Sequence, residues 1–134
     1  MKQSIGKLIK IAHNALNADL DRLARPHGLT GVQMTIIDFL RTCSAVTQKD
    51  IEKEFHIQGS TVTVMIDRLE AKDLVKRYRS EKDKRIKEIK LTDSGTEISE
   101  IIKGYIDNHD KLIMSSYSAE EKQVIFKFLE SFEQ

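Results

Sequence analysis

TQKDIEKEFHIQGSTVTVMIDRLEAKDLVKRYRSEKDKRIKEIKL, residues 47–91, is the stretch that decides the fold of this chain. Thr47 stands where a helix N-cap belongs, Asp50 follows three residues on as a capping-box acid, and Ile51 and Phe55 lie four apart on one face. This spacing predicts a helix of about two turns. His56, Ile57, Gln58 and Gly59 interrupt it, and then Val62, Met65, Ile66 and Leu69 recur at helical spacing as far as Lys72. The pattern is helix, tight turn, helix. With that apolar set turned inward, Ser60, Thr63, Val64, Asp67 and Arg68 fall on or near the outward side, and Thr61 lies in the first turn. Small hydroxyl residues at a helix N-terminus permit close approach, because the free N–H groups and the positive dipole end favour phosphate oxygens. Such a helix has the dimensions to enter a DNA major groove.

After Asp73 the pattern changes from helical to alternating, with Leu74, Val75, Arg77 and Arg79 on one side of a polar tip and Ile86, Ile89 and Leu91 on the other. This predicts a two-stranded hairpin with its tip at residues 80–85. A hairpin that follows such a helix makes a winged helix. The tip carries Glu81, Lys82, Asp83, Lys84 and Arg85, so a guanidinium can reach a minor groove while Asp83 braces it. The net charge of +1 hides an uneven distribution. Residues 68–90 hold ten Lys or Arg against five acids, whereas residues 91–134 hold four against nine. Basic character is therefore local, which suits a polyanion contact on one surface; a solvated charged face is the bland alternative for an isolated basic run.

These residues resemble the MarR family of transcriptional regulators. The likeness rests on Gly59-Ser60-Thr61-Val62-Thr63 followed by Ile66-Asp67-Arg68-Leu69-Glu70, on Leu74-Val75 with Arg77, on the wing motif Asp83-Lys84-Arg85, and on Leu91-Thr92-Asp93-Ser94-Gly95. Upstream, Leu29-Thr30 with Gln33 and the apolar run to Leu40 resemble the family's second helix, so the likeness covers essentially the whole chain. Three positions depart from the family pattern. Gln58 is a poor helix cap, Asp73 stands where the family usually has Gly, and Val64 replaces a polar or basic side chain. Val64 cannot donate a hydrogen bond to a base and offers only apolar contact, as with a thymine methyl.

The rest of the chain supplies the flanks. Ile5, Leu8, Ile9, Ala12, Leu16, Leu20 and Leu23 mark one face of a first helix that ends near Arg25 and Pro26. Thr30 caps a second helix bearing Val32, Ile36, Ile37, Phe39 and Leu40. Past the wing, Thr92 or Asp93 begins a long helix with Ile98, Ile101, Ile102, Tyr105 and Ile106, continuing toward Met114, and Ser118 with Glu121 makes a capping box for a last helix with Val124, Ile125, Phe128, Leu129 and Phe132. The expected fold is mainly α with a small β-hairpin wing. A chain of 134 residues is expected to form one domain, with a winged helix at about 29–91 and flanking helices at about 4–25 and 93–133. Ile5, Leu8 and Ile9 with Phe126, Phe128, Leu129 and Phe132 either cover the chain's own core or pair between subunits. The family resemblance implies the second: a two-fold homodimer whose recognition helices face major grooves about 10 bp apart on a pseudo-palindromic site.

No Gly-rich phosphate loop, nucleophile elbow or His-Glu-x-x-His occurs, and acid pairs such as Asp19/Asp21 and Glu120/Glu121 read as solvated helix surface, so the chain is not expected to be an enzyme. No cofactor is expected. A signal peptide and a membrane span are absent from the pattern, so the expected location is the cytoplasm. Cys43 is expected to be buried as a small hydrophobe rather than redox-active. His13, His27, His56 and His109 are far apart; a metal-sensing role through His109 is an alternative without a dense ligand motif. The resemblance further implies a small aromatic or amphipathic effector, with a candidate pocket of His13, Leu16, Leu20, Met34, Ile37 and Asp38, although the same side chains serve equally as core. The residues expected to meet double-stranded DNA are Gly59, Ser60, Thr61, Thr63, Val64 and Arg68 on the second helix of the motif, and Arg77, Lys82, Asp83, Lys84 and Arg85 on the wing. Arg77 has an alternative, an internal pair with Asp67 or Asp83, and Lys76 and Lys87 offer backbone contacts or support. The function that follows is sequence-specific transcriptional regulation, more readily repression. A winged helix that docks a protein partner is the competing reading.

Overall fold

The computed structural model describes residues 4–133. Its elements are α1 (Ile5–Ala24), a 3-10 turn (Arg25–His27), α2 (Gly31–Thr42), α3 (Gln48–Phe55), α4 (Gly59–Ala71), β1 (Val75–Arg79), β2 (Lys87–Leu91), α5 (Asp93–Met114) and α6 (Ala119–Glu130). The fold is mainly α with one small β-hairpin, and α3, α4 and the hairpin form a winged helix-turn-helix. The chain divides into two compact units after Ile102, within α5.

Local chemistry sets the helix starts of the first unit. Ser4 Oγ accepts from the Lys7 N–H at 3.4 Å to open α1. At α2 the Thr30 hydroxyl accepts from the Gln33 N–H at 3.1 Å, while the Gln33 amide oxygen accepts from the Thr30 N–H at 3.0 Å. Thr47 and Asp50 repeat the arrangement at α3, at 3.2 and 2.9 Å. Gly28, at φ +70°, ends the 3-10 turn and reverses the chain into α2. There the Gly31 N–H donates to Asp21 Oδ1 at 2.6 Å, and the bare Cα of Gly31 admits α1 at a distance that a Cβ would deny, since it would lie 2.9 Å from Leu20 Cβ.

The core of this unit joins Met34, Ile36, Ile37 and Leu40 of α2 with Ile51 of α3, Val62, Ile66 and Leu69 of α4, Val75 and Ile89 of the hairpin, and Ile102 of α5. Phe39 and Phe55 meet edge to face at 5.7 Å, closing α2 onto α3. The strands pair antiparallel, Val75 opposite Leu91, Arg77 opposite Ile89 and Arg79 opposite Lys87. The segment before α3 ties onto this hairpin: Thr47 forms a bridge with Glu88, and the Ile89 N–H donates to the Val46 carbonyl at 2.8 Å. The wing is thus fastened to the start of the helix-turn-helix as well as to its end.

Two backbone positions control the passage from α4 through the hairpin to α5. Asp73 adopts φ +60°, and around it the Asp73 and Leu74 N–H groups donate to the Glu70 and Leu69 carbonyls at 2.9 and 3.0 Å, ending α4 in a left-handed turn. Thr92 caps α5: its hydroxyl accepts from the Gly95 N–H at 3.0 Å and donates to the Asp73 carbonyl at 2.6 Å. Gly95 is buried against Leu74, where a Cβ would collide with the Leu74 carbonyl oxygen.

In the second unit the Ser118 hydroxyl accepts from the Glu121 N–H at 3.1 Å and the Glu121 carboxylate accepts from the Ser118 N–H at 2.8 Å, the capping box expected for α6. Phe128 and Phe132 meet edge to face at 5.4 Å, yet both are exposed, as are Leu112, Ile113, Val124, Phe126 and Leu129. On α1, Ile5, Leu8, Ile11 and Leu16 are exposed too.

Cys43 corrects an expectation. It is exposed rather than buried, because it is the C-cap of α2 with extended backbone (φ −120°, ψ 147°), where the side chain has left the periodic apolar face.

Replacing Asp73 by Gly is expected to raise stability by ~0.5–1 kcal/mol, because Gly adopts the left-handed conformation without strain. A higher denaturant midpoint with an unchanged m-value is the readout. Gly95→Ala is expected to lower stability by ~2–3 kcal/mol, since the collision is with backbone that cannot rotate away. Wild-type stability in that variant would show that the α4–α5 connection yields.

Candidate nucleic-acid interface

The rotation of α4 about its axis follows from its buried residues. Val62, Ile66 and Leu69 have no exposed surface, so the opposite face carries Ser60, Thr61, Val64, Asp67 and Arg68, all exposed. Val64 is 47% exposed at the centre of that face. Gln58 makes no side-chain cap at the start of α4, in keeping with its poor capping chemistry. Another residue compensates. Gln48, in the first turn of α3, donates its side-chain amide to the Gly59 carbonyl at 3.2 Å and to Thr63 Oγ1 at 2.8 Å. The Glu52 carboxylate also lies by the first turn of α4, 3.0–3.3 Å from where a Cβ on Gly59 would sit, and a negative charge there is favoured by the helix dipole.

The Gln48 contact changes the standing of Thr63. Its hydroxyl accepts from Gln48 and donates its one proton to the Gly59 carbonyl at 2.9 Å, so it has no proton left for a base or phosphate. Ser60, Thr61 and Arg68 differ: among the described residues their side chains have no hydrogen-bond or ion-pair partner.

Arg77 is engaged internally. Its guanidinium meets Asp67 Oδ1 at 2.8 Å and Glu70 Oε1 at 2.9 Å, and its backbone N–H donates to Glu70 Oε2 at 3.3 Å. The Asp67 alternative foreseen from the sequence is present, with Glu70 as a second partner, while Asp83 pairs elsewhere. The Arg77 side chain is 20% exposed, whereas those of Asp67 and Glu70 are 60% and 41% exposed, so the pairing is a surface network covered on its arginine side. It binds β1 to the outer edge of α4.

The wing tip has its own order. The Ser80 N–H donates to the Ile86 carbonyl at 2.8 Å, and its hydroxyl accepts from the Lys82 and Asp83 N–H groups at 3.2 and 3.4 Å. Asp83 then accepts from the Arg85 backbone N–H at 3.0 Å and receives the guanidinium through Nε and Nη2, each at 3.1 Å. The side-chain hydrogen bond from Arg85, aided by its backbone N–H, lowers the Asp83 pKa and raises that of Arg85. The Arg85 side chain is 90% exposed. Lys82 and Lys84 stand exposed beside it.

The candidate effector residues are dispersed between surface and core. Met34 and Ile37 have zero exposure, Leu20 is half-buried, and His13 and Leu16 are exposed, with His13 Nε2 3.1 Å from the Asn17 amide. Asp38 pairs with Arg41 at 2.8 Å. Among the described residues no three His, Cys, Asp or Glu side chains gather as a metal site, and no helix is long and apolar enough to cross a membrane. His109 is half-buried on α5.

Comparison with known proteins places this arrangement. The MarR family model matches residues 27–86. The crystal structure of the transcription regulator MarR from Oenococcus oeni PSU-1 is 39% identical and superposes with a TM-score of 0.84, covering 96% of this chain and 97% of that one. The chain belongs to the MarR family. Staphylococcus aureus MepR, solved in complex with DNA, is 26% identical to this MarR-family chain with a TM-score of 0.88 over 97% of it and 96% of MepR. The HTH-type transcriptional repressor MdtR of Bacillus subtilis is 32% identical over 91 residues, 67% of this chain and 56% of MdtR. The chain spans 56–62% of the length of the Bacillus subtilis relatives it matches. These relatives carry the names of transcriptional regulators, and this chain shares their family.

Two interface residues escaped the sequence reading. Glu70 was detectable, since Asp67 and Glu70 stand three apart and present two carboxylates on one helical face. Gln48 was not, because its partner Thr63 lies fifteen residues away and no local spacing signals the contact.

Asp83 is expected to titrate below the ordinary 3.8, and Arg85→Ala to return it toward that value, as followed by NMR of its carboxyl carbon. A carboxylate pKa depressed in the folded state means that the clamp contributes above the ordinary value and is lost as pH falls through the lowered one. The clamp is therefore closed throughout the neutral range.

Proposed function

We propose that this chain acts as a homodimeric, sequence-specific DNA-binding regulator, a repressor that occupies a pseudo-palindromic operator in the cytoplasm and is released by a small-molecule effector. The observation that carries the reading is the pairing of two exposed elements on one scaffold: the outward face of α4 with Ser60, Thr61, Val64 and Arg68, and a wing tip that presents Arg85 on an Asp83 brace. A helix for the major groove and an arginine for the adjacent minor groove are the two contacts that a winged helix makes with duplex DNA. MepR in its DNA complex and the repressor MdtR are relatives that fit the same reading.

Homodimerisation is supported by the apolar side chains that the single chain leaves exposed. Leu112, Ile113, Val124, Phe126, Phe128, Leu129 and Phe132 in the second unit, and Ile5, Leu8, Ile11 and Leu16 on α1, are more large apolar groups than a monomer of this size ordinarily shows to water. Two copies would align two α4 helices with successive major grooves about one turn, ~10 bp, apart. Within the candidate DNA-contacting set, Lys82, Lys84 and Arg68 supply phosphate contacts, whereas Gly59, Thr63 and Arg77 build and hold the surface that the others present. A small aromatic or amphipathic effector would meet His13, Leu16, Leu20 and Asp38, and would reach Met34 or Ile37 only if the core opened. By favouring a spacing of the two winged units that does not fit DNA, it would release the operator through a population shift.

Fluorescence anisotropy near physiological salt, with a duplex selected from a genomic pool against a random duplex of equal length, tests the reading. The expected preference is about a thousandfold or more. Arg85→Ala is expected to weaken the selected complex by ~1–3 kcal/mol while lowering thermal stability only slightly, because the pair it removes is exposed. Equal, weak binding to both duplexes would refute sequence-specific regulation and favour a protein partner for the wing.

A further inference from the structure

We infer that Val64 is a specificity-determining residue that reads the 5-methyl group of a pyrimidine, so that each operator half-site requires thymine beneath the centre of α4. The inference rests on the DNA-binding reading above and deepens it.

Three observations single out Val64. Burial of Val62, Ile66 and Leu69 fixes the rotation of α4 and leaves Val64 at the middle of the outward face, 47% exposed. The polar side chains nearest to it on one side offer no donor: the Thr63 proton is donated to the Gly59 carbonyl, and Asp67 is a carboxylate with one oxygen on Arg77. Ser60, Thr61 and Arg68, the side chains of this face without internal partners, surround Val64 rather than replace it. An isopropyl group is therefore what α4 presents at the point of closest approach.

Stability does not ask for valine here. On an exposed helical site a β-branched side chain is stiff at χ1 and less favourable than alanine, and its apolar surface gains nothing from water. Its value lies in what it can touch. In the major groove the edges of the four base-pair orientations offer hydrogen-bond donors and acceptors in every case, and a methyl group only at thymine. A branched apolar side chain seated against donors or acceptors would strip them of water without return, whereas against the thymine methyl it buries apolar surface on both sides. Cytosine presents a bare C5–H at the same place, so 5-methylcytosine would restore the missing contact.

The test uses the full chain and the selected duplex described above, with each half-site thymine replaced in turn by deoxyuridine, which removes the methyl and leaves base pairing intact. At one thymine per half-site the wild-type protein is expected to lose about threefold to fivefold in affinity, the worth of one buried methyl-sized group. In Val64→Ala that loss is expected to shrink at the same position while any loss at the other thymines stays as in the wild type. Val64→Thr, which keeps the branched shape with one methyl fewer, is expected to retain part of it. Folding is controlled by the wild-type circular dichroism and melting expected of a surface variant. If deoxyuridine costs nothing anywhere in the half-site, or costs Val64→Ala as much as wild type, the assignment is wrong although specific binding stands. If no duplex is preferred over random DNA, the DNA-binding reading itself fails, and that outcome is visible before any base is modified.

Discussion

The burial of Val62, Ile66 and Leu69 is the constraint on which the rest of the interface depends. An α-helix has one degree of freedom once its ends are fixed, rotation about its axis, and three buried apolar side chains, on a helix packed against α3 and the hairpin, remove it. A polar residue at any of the three would have to bury an unsatisfied group or turn the helix. The face that meets solvent is then determined, and with it the order of Ser60, Thr61, Val64 and Arg68 along that face. Gln48 performs the corresponding service for the helix start. By holding both Gly59 and Thr63, it gives α4 a defined first turn despite the missing cap at Gln58.

Charge in this region divides between holding the scaffold and facing outward. Arg77 is positive, lies between the helix and the wing, and yet spends its guanidinium on Asp67 and Glu70. Its contribution to the proposed polyanion binding would be indirect: it ties the wing to α4 and offsets two carboxylates that would repel phosphate. Lys82 and Lys84 have no such engagement among the described residues and keep their full charge at the tip. Counting basic residues between 68 and 90 therefore locates the surface but overstates the number of side chains that can leave it.

What could be read from the sequence was local. The capping pairs Thr47 with Asp50 and Ser118 with Glu121 act across three residues, and each is formed as the spacing predicts. Helical periodicity identified the inward face of α4, and the alternation after Asp73 identified the hairpin. Contacts between elements were harder to read. The Gln48 bond to Thr63 and the tie from Val46 to Ile89 depend on tertiary placement, and no single-window pattern encodes them. Cys43 failed for a related reason, because its apolar character suggested burial while its position at a helix end decided exposure. The apolar faces of α1 and α6 were legible as faces, but periodicity is the same whether such a face covers its own core or another subunit. For the candidate effector residues the same ambiguity is visible in the outcome, with Met34 and Ile37 in the core and His13 at the surface.

The wing tip shows how a neutral pair can serve a basic surface. Asp83 cancels much of the charge of Arg85 at long range, so in the proposed complex the attraction of a polyanion toward the wing would come from Lys82 and Lys84. At contact the balance reverses. To enter a narrow groove, the Arg85 guanidinium would exchange its two hydrogen bonds with Asp83 for contacts with the groove. The negative potential of a narrow minor groove then competes with Asp83 for the guanidinium, and it is greatest where the groove is narrowest. An arginine with a counter-ion would therefore discriminate by groove width more sharply than a free one, because a wide groove does not displace the carboxylate. In the proposed complex the lysines would set how fast the wing arrives, and the Asp83–Arg85 pair where it stays.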